Sequence, residues 1–110
     1  MILGIGVDIA NISRFIDKSQ HFIDRVLSSE ELAVYLKQTE ENKVVYLASR
    51  FSAKEALFKA LKNVNFDFAS VSILNEKNGA PFVKMDTPYK IHISLSHERD
   101  YVISYVVIEE

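Results

Sequence analysis

The pattern of hydrophobic and polar residues changes its period about two thirds of the way along the chain. Between positions 20 and 62, apolar side chains recur three or four residues apart, which predicts helices. Between positions 70 and 108, apolar and polar side chains alternate, which predicts strands. A short alternating segment, Ile2–Ile9, precedes the helices and predicts one more strand. Helices followed by hairpin-connected strands indicate an α+β fold with an antiparallel sheet packed against a long central helix.

Capping residues and spacing place the helices. His21–Leu27 has helical spacing, and Ser28 stands three residues before Glu31, a capping box that begins a helix running to about Lys37. The longest helix is predicted over about Lys43–Lys62, after a turn or N-cap region at residues 39 to 42.

Turn residues and side-chain alternation place the strands. Asn78–Gly79 is a strong hairpin signal. Tyr101–Ile108 is apolar on both faces, which predicts a central strand, with the first strand beside it. Gly4 and Gly6 lie on the polar side of that first strand, where the missing side chains let another group approach the backbone closely.

A carboxylate interrupts the apolar face of the long helix. Glu55 falls where an apolar residue is expected at 3.6 residues per turn. Asp8 is a second acid on a core-like element, at the end of the first strand. A buried acid is costly unless a cation or hydrogen bonds hold it, so both are candidate site residues. The predicted stripe around Glu55 consists of Val44, Leu47, Ala48, Phe51 and Phe58.

Composition limits the functions that this chain can have. Its 110 residues fit one domain, residues 1–110, and the net charge of −2 gives no indication of nucleic-acid binding. The absence of cysteine excludes disulfides, thiol nucleophiles and cysteine-ligated zinc, and it suits a cytoplasmic location. No apolar run is long enough to span a bilayer and no signal-peptide pattern is present, so we expect no membrane association.

Two interpretations of the acidic residues remain open on sequence grounds. If Asp8 and Glu55 converge, their charges repel unless a proton or a cation intervenes. Mg²⁺ is commonly held by one or two carboxylates together with phosphates, and Arg50, Lys54 and Lys59 supply the positive charge that a polyphosphate needs. The alternative is an ordinary i, i+4 pair of Glu55 with Lys59 on a solvated face, worth roughly 0.2–0.5 kcal/mol. Spacing alone favours this alternative.

The remaining candidates also have two interpretations each. His97 could contact a nucleotide or simply cap the turn that follows its strand. Arg14 and Arg25 could bind an acidic partner, although solvated charges are the simpler interpretation. Phe51 could stack on a ligand, but phenylalanine is more often a core residue.

Two long motifs resemble those of bacterial holo-acyl-carrier-protein synthases. The first is Gly4–Ile9 continuing to Ile12–Phe15, and the second is Arg50–Ala60. Shorter matches follow in the same order, namely Arg25–Leu27, Glu31–Leu32, Asn78–Gly79 with Pro81, Ser94–His97 and Val106–Glu109. The resemblance therefore covers nearly the whole chain.

This resemblance implies a reaction. Such enzymes move the 4′-phosphopantetheine arm of coenzyme A onto a serine of apo-acyl carrier protein, release adenosine 3′,5′-bisphosphate and use Mg²⁺. By match, Asp8 and Glu55 would be metal ligands. Glu55, directly or through a water, would help to deprotonate the serine hydroxyl, and Lys59 would neutralise or protonate the leaving phosphate oxygen.

The resemblance also implies binding residues and an assembly. Arg14 and Arg25 would face the acidic helix of the carrier protein. The family forms homotrimers with active sites shared between neighbours, which would cover the second face of the central strand. The residues expected to line the coenzyme A site are Arg50, Lys54, Ser96 and His97, with Phe51 at its rim.

The chain departs from the family pattern at two places. Lys62–Asn65 stands where the family usually turns on glycine, and asparagine tolerates the left-handed backbone such a turn needs. Val102 and Ser104 replace common alanines in the last strand. Three other functions compete with a small transferase: a non-catalytic coenzyme A or nucleotide-binding module, a transferase for carrier domains of large synthases, and a structural oligomer.

Overall fold

The protein has three α-helices and five β-strands in a computed structural model that describes residues 1–110. Strand β1 (Ile2–Asn11) is followed by helices α1 (Gln20–Val26), α2 (Ser29–Leu36) and α3 (Glu40–Ala60). The chain then forms strands β2 (Ser72–Asn75), β3 (Pro81–Lys84), β4 (Lys90–Glu98) and β5 (Tyr101–Glu109). Short 3₁₀ turns occupy Ile12–Phe15 and Phe68–Ser70. The predicted α+β class with an antiparallel sheet and a long helix is confirmed.

The main sheet has the strand order β1-β5-β4, and all its neighbours are antiparallel. The prediction that β5 is central, with β1 beside it, is confirmed. In this register Asp8 lies opposite Ser104, which lies opposite Leu95 on the far strand. Strands β2 and β3 form a separate two-stranded sheet, whereas the sequence indicated a single sheet, because the break at residues 85 to 89 detaches the hairpin from β4.

Helix α3 lies directly against β1 at the two glycines. A Cβ atom on Gly6 would be 1.9 Å from the carbonyl oxygen of Ala56, and one on Gly4 would be 1.9 Å from that of Ala60. The group that approaches the strand is therefore the helix backbone itself. The glycine side of β1 is the buried side, so the prediction that it is the polar side of the strand was wrong.

The outer face of the main sheet is apolar and exposed in the isolated chain. On β1, the side chains of Ile5, Val7 and Ile9 are 60%, 54% and 61% exposed. Ile103 and Tyr105 continue this face on the neighbouring strand β5. We call these five residues the outer apolar face.

The inner face of β5 packs against α3. Val102 and Ser104, the two departures from the family pattern, both lie on this buried side rather than on the outer apolar face. The Ser104 hydroxyl donates a 2.9 Å hydrogen bond to the hydroxyl oxygen of Ser52 on α3, so its polar group is satisfied.

The ends of α3 differ from the prediction by two or three residues. Thr39 is the N-cap, and its hydroxyl oxygen accepts the Asn42 N–H at 3.2 Å, so the helix begins three residues early. Beyond the C-terminus, Lys62 and Asn63 adopt left-handed φ angles of 58° and 64°. The Asn63 N–H donates to the Phe58 carbonyl at 3.0 Å, closing the turn for which the family usually has glycine.

The buried face of α3 is made mostly of small residues. Ala53, Ala56, Leu57 and Ala60 pack against the sheet in one of two core clusters. Of the predicted stripe, Leu47 and Ala48 are buried, but Val44, Phe51 and Phe58 are only partly buried. Small side chains allow close approach to the strands, which is why the face is not the bulky one expected. No helix has the length and apolar character needed to cross a membrane.

Candidate active site

Asp8, Glu55 and Lys59 form a cluster where β1 meets α3. The Lys59 ammonium donates a 2.9 Å hydrogen bond to the carbonyl oxygen of Val7, and its Nζ lies 3.5 Å from Oδ1 of Asp8. Glu55 stands one helical turn before Lys59 on the same side of α3. The structure thus brings together the two acids and the lysine that the sequence singled out.

Electrostatics set Glu55 apart from an ordinary surface glutamate. Partial burial, and next the negative charge of Asp8, raise the pKa of the Glu55 carboxyl above its usual value. Lys59 and Arg14 act in the opposite direction by stabilising the carboxylate. The Glu55 carboxylate accepts no hydrogen bond from the chain, so its oxygens remain available for other ligands or for a proton.

The donor set limits which metal this cluster could hold. No group of three or more His, Cys, Asp or Glu side chains suited to a metal is present. Two adjacent carboxylates, Asp8 and Glu55, offer hard oxygen ligands but no complete cage. Mg²⁺ fits such a set, because it is commonly bound by one or two carboxylates and completes its shell with waters and substrate phosphates.

Lys54 is the exception among the residues expected to line the coenzyme A site. Its side chain is completely buried, and its ammonium donates to the Val26 carbonyl, the Phe68 carbonyl and the Glu31 carboxylate at 2.7, 2.8 and 2.5 Å. These bonds use all three N–H donors of a lysine. Lys54 therefore has no donor left for a ligand, which corrects the expectation from the resemblance.

Arg50 is also held by the fold. Its Nε donates to the Ile73 carbonyl at 3.2 Å, and its two terminal nitrogens donate to Ser49 and Asn75 at 3.0 and 2.7 Å. The guanidinium stacks over the Tyr46 ring, with 4.2 Å between its central carbon and the ring centroid. Arg50 is thus a rigid positive charge that is only 6% exposed.

Ser96 and His97 lie apart from the acidic cluster. They line a cavity of about 280 Å³ together with Arg50 and Tyr46, whose buried hydroxyl has no hydrogen-bond partner. Both residues belong to β4, two strands away from Asp8 on β1. The isolated chain therefore carries two separate polar regions rather than one continuous site.

A groove lined by aromatic side chains lies beside these regions. We define the aromatic groove by six of its lining residues, Phe22, Arg25, Val26, Phe51, Phe66 and Phe68, around a cavity of about 430 Å³. The Phe51 ring lies 6.0 Å from those of both Phe22 and Phe68, measured between centroids. Arg25 lines one wall, and Arg14 is exposed on the nearby 3₁₀ turn, its guanidinium carbon 5.4 Å from the centroid of the Phe15 ring.

Sequence reasoning missed the role of Glu31. It recognised Glu31 only as the end of a capping box, which is present, with its Oε1 accepting the Ser28 N–H at 2.9 Å. The same carboxylate also binds Lys54, a residue 23 positions away. A glutamate inside a helix otherwise rich in apolar residues was the one available signal.

The largest cavity, of about 650 Å³, is lined by none of the candidate site residues. It lies between the first 3₁₀ turn and the start of α3, with Phe15, Tyr35 and Val44 among its lining residues. The acidic cluster does not line this cavity, so cavity size does not identify the chemistry here.

Comparison with known proteins shows which family and which relatives this chain resembles. Residues 4–106 match the model of the 4′-phosphopantetheinyl transferase superfamily. A holo-[acyl-carrier-protein] synthase of Geobacillus sp. (strain WCH70) is 42% identical over 118 residues, covering 99% of this chain and 98% of the relative.

Solved structures agree with the sequence relatives. A holo-(acyl-carrier-protein) synthase of Bacillus anthracis str. Ames in complex with CoA (3′,5′-ADP) superposes with a TM-score of 0.90 at 31% identity, covering 98% of this chain and 96% of that one. The synthase of Neisseria meningitidis also gives a TM-score of 0.90, at 32% identity with both chains fully covered. The chain therefore belongs to the 4′-phosphopantetheinyl transferase superfamily.

Proposed function

We propose that Asp8 and Glu55 hold Mg²⁺ while this chain carries out its reaction, the transfer of the 4′-phosphopantetheine group from coenzyme A to a serine of apo-acyl carrier protein. The observation that carries the proposal is the placement of the two acids near each other, where partial burial and then the charge of Asp8 raise the pKa of Glu55, with Lys59 next to Asp8. Bound Mg²⁺ would neutralise negative charge on the pyrophosphate.

The residues of the chain divide the remaining chemistry. Glu55, which accepts no hydrogen bond from the chain, takes the proton of the serine hydroxyl, directly or through a water. The serine oxygen forms a new bond to the phosphorus that carries pantetheine. The bond from that phosphorus to the bridging oxygen breaks, and adenosine 3′,5′-bisphosphate leaves. The Lys59 ammonium, half exposed beside Asp8, neutralises or protonates the departing phosphate oxygen.

Coenzyme A is bound, in this proposal, by the cavity of Arg50, Ser96 and His97. Phe51, which was expected at its rim, lines the aromatic groove instead. Arg50 is fixed by its bonds to Ile73 and Asn75, so it offers a preorganised positive charge to a phosphate. The Bacillus anthracis relative was solved with coenzyme A, which supports a coenzyme site in this fold.

The separation of the two polar regions supports a homotrimer with shared sites. Ser96 and His97 lie two strands away from Asp8, so a neighbour is needed to bring a complete set together. The outer apolar face is suited to that contact, because monomeric soluble proteins rarely expose a large contiguous apolar surface. Residues 1–110 act as one transferase domain in this proposal.

The carrier protein docks at Arg14 and Arg25, whose charges complement an acidic helix. A small stand-alone carrier of the fatty-acid type, in the cytoplasm, is the proposed partner. Carrier domains of large synthases are the competing substrates, and the two classes are compared by assaying both with the same enzyme preparation.

Intact-mass analysis tests the reaction and the metal together. Apo-acyl carrier protein incubated with coenzyme A, Mg²⁺ and the enzyme should gain the mass of phosphopantetheine, and a chelator should abolish the gain. Glu55→Gln should lose the activity, whereas Glu41→Gln, an exposed acid in the first turn of the same helix, should retain it. A mass gain that survives chelation would contradict the magnesium proposal while leaving the transfer intact.

A mixing experiment tests the shared site. Glu55→Gln and His97→Ala variants should each be inactive, but trimers formed from a mixture should regain activity at about one quarter of their interfaces. Ile103→Asp, on the outer apolar face, should dissociate the trimer and abolish transfer. Leu36→Asp changes an even more exposed apolar residue, on α2, and should leave both the mass in solution and the activity unchanged. A monomeric wild type with full activity would contradict the trimer.

A further inference from the structure

We propose that Glu31 and Lys54 are positioning residues that fix the spacing between the two walls of the aromatic groove and thereby determine the affinity for the carrier protein. The proposal rests on the proposed docking of the carrier beside Arg25, which lines this groove.

Lys54 ties the two walls of the groove to each other. Its ammonium donates to the carbonyl of Val26, the last residue of α1, and to the carbonyl of Phe68 in the opposite wall, at 2.7 and 2.8 Å. Phe51, between the walls, stands three residues before Lys54 and therefore on the same side of α3. One buried cation thus links three elements that line the groove.

Neither wall has much stability of its own. Helix α1 contains only seven residues, and the 3₁₀ turn that carries Phe68 contains three. Helices this short are marginal without tertiary contacts. The bonds to Lys54 are therefore a main determinant of where the Phe22 and Phe68 rings sit relative to each other.

Glu31 determines where the ammonium lies. Its Oε1 accepts the Ser28 N–H at 2.9 Å as well as Lys54, and its Oε2 accepts the Ile73 N–H at 2.8 Å. The carboxylate is thereby fixed by two backbone groups from different elements. Burial lowers the pKa of Lys54, and the charge of Glu31 opposes that effect.

The arrangement explains a buried charge pair that the chemistry does not use. Both side chains are fully buried, and desolvation offsets much of the attraction within a buried ion pair, so net stability alone does not account for this one. A preformed groove binds its partner without the entropic cost of first ordering its two walls. The Glu31–Lys54 pair removes that cost by fixing the walls in the free protein.

Steady-state kinetics with each substrate varied in turn test the proposal. Glu31→Gln keeps the shape but weakens the hold on Lys54, and we expect the KM for apo-acyl carrier protein to rise about tenfold. The KM for coenzyme A and kcat should stay within about twofold, because Glu31 makes no hydrogen bond to the acidic cluster or to Arg50, Ser96 or His97. Glu31→Asp, which keeps the charge, should give a smaller rise. Hydrogen exchange should quicken at residues 66 to 70 in both variants.

The matched control lies on the same helix. Glu30→Gln breaks the exposed 3.0 Å ion pair with Lys84 and should change none of these quantities. A folded Glu31→Gln or Glu31→Asp variant with an unchanged carrier KM overturns the proposal, as does an equal rise in the KM values of both substrates. If Glu31→Gln does not fold, the carrier KM of Glu31→Asp tests the proposal instead. A wild type without turnover contradicts the transfer reaction as well, whereas turnover with an unmoved KM contradicts only the positioning role.

Discussion

Lys54 and Glu55 are neighbours on α3, yet they belong to opposite environments. Lys54 is fully buried, and each of its three N–H groups has an acceptor. Glu55 is partly exposed, accepts no hydrogen bond and lies beside a second acid that raises its pKa. Adjacent helix positions point about 100° apart, so one faces the interior and the other faces β1.

The comparison shows that one turn of helix carries a charge that holds the fold together and a charge that remains available to a ligand. The Glu31–Lys54 pair is satisfied within the fold, so it stabilises a particular arrangement of the surrounding elements. Asp8 and Glu55 repel each other, and the half-exposed Lys59 beside Asp8 offsets that repulsion only in part, so the pair costs stability until a further cation or a proton is supplied. Functional sites are the usual place for such a cost.

Removing one member of the satisfied pair should have the largest effect on stability. Lys54→Met leaves the Glu31 carboxylate buried without its cation, and we expect the free energy of unfolding to fall by about 3–5 kcal/mol. Denaturant melts followed by circular dichroism measure the change. Lys43→Met, which removes a lysine from a partly exposed pair with Glu40, is the control and should cost less than about 1 kcal/mol. Equal losses of stability in the two variants would show that the buried Glu31–Lys54 pair matters no more to the fold than the partly exposed Glu40–Lys43 pair.

Glu55→Gln should show the opposite balance between activity and stability. We expect kcat/KM to fall by about 10²–10³-fold, equivalent to about 3–4 kcal/mol of transition-state stabilisation. The free energy of unfolding of the free protein should not fall, because the variant removes the repulsion from Asp8. A variant that lost stability along with activity would place Glu55 among the structural charges.

Gly6→Ala should reduce both stability and transfer activity, because it separates β1 from α3. The added methyl group would meet the Ala56 carbonyl, and we expect a loss of about 1–3 kcal/mol in stability. Displacement of β1 also moves Asp8 away from Glu55, so transfer activity should fall in the fraction that still folds. Gly79→Asn, at a site with open space but a φ of 90°, is the glycine control, and it should cost less than Gly6→Ala because asparagine tolerates left-handed backbone and meets no neighbouring atom. Comparable losses at both glycines would argue against a close-contact role for Gly6.

The pH dependence of stability should be the smallest effect. A carboxyl whose pKa is raised on folding favours the folded state at low pH, and this contribution is lost as the pH rises from the usual value of 4.5 through the raised one. The stability of Glu55→Gln relative to wild type should therefore increase across that interval and then level off. Unfolding free energies at several pH values between about 4 and 8 measure the difference. A constant difference would show that Glu55 does not titrate abnormally.

The sequence predicted the elements well because their signals are local. The Ser28 capping box, the central position of β5 and the turn at Asn63 each depend on residues within a few positions, or on apolar character along one strand. The proximity of Asp8 and Glu55 could also be predicted from the sequence, since each acid interrupts a recognisable pattern.

The predictions that failed concern features that depend on contacts between residues far apart in the sequence. Alternation along β1 did not reveal which face is inner, because a one-residue step exchanges the faces and the buried side consists of glycines. The partner of Lys54 lies 23 residues away in a helix cap, so nothing near Lys54 marks it as buried. The distance of Ser96 and His97 from Asp8 follows from strand order rather than from their motif.

The contact of Gly4 and Gly6 with α3 has a consequence for large-scale mutagenesis. In a saturation screen scored by transfer activity, these two positions should tolerate substitution as poorly as Asp8 and Glu55, although neither has a side chain to offer a substrate. Measuring cellular abundance in parallel would divide the four positions into two pairs. Glycine variants would disappear from the folded pool, while carboxylate variants would accumulate as inert protein.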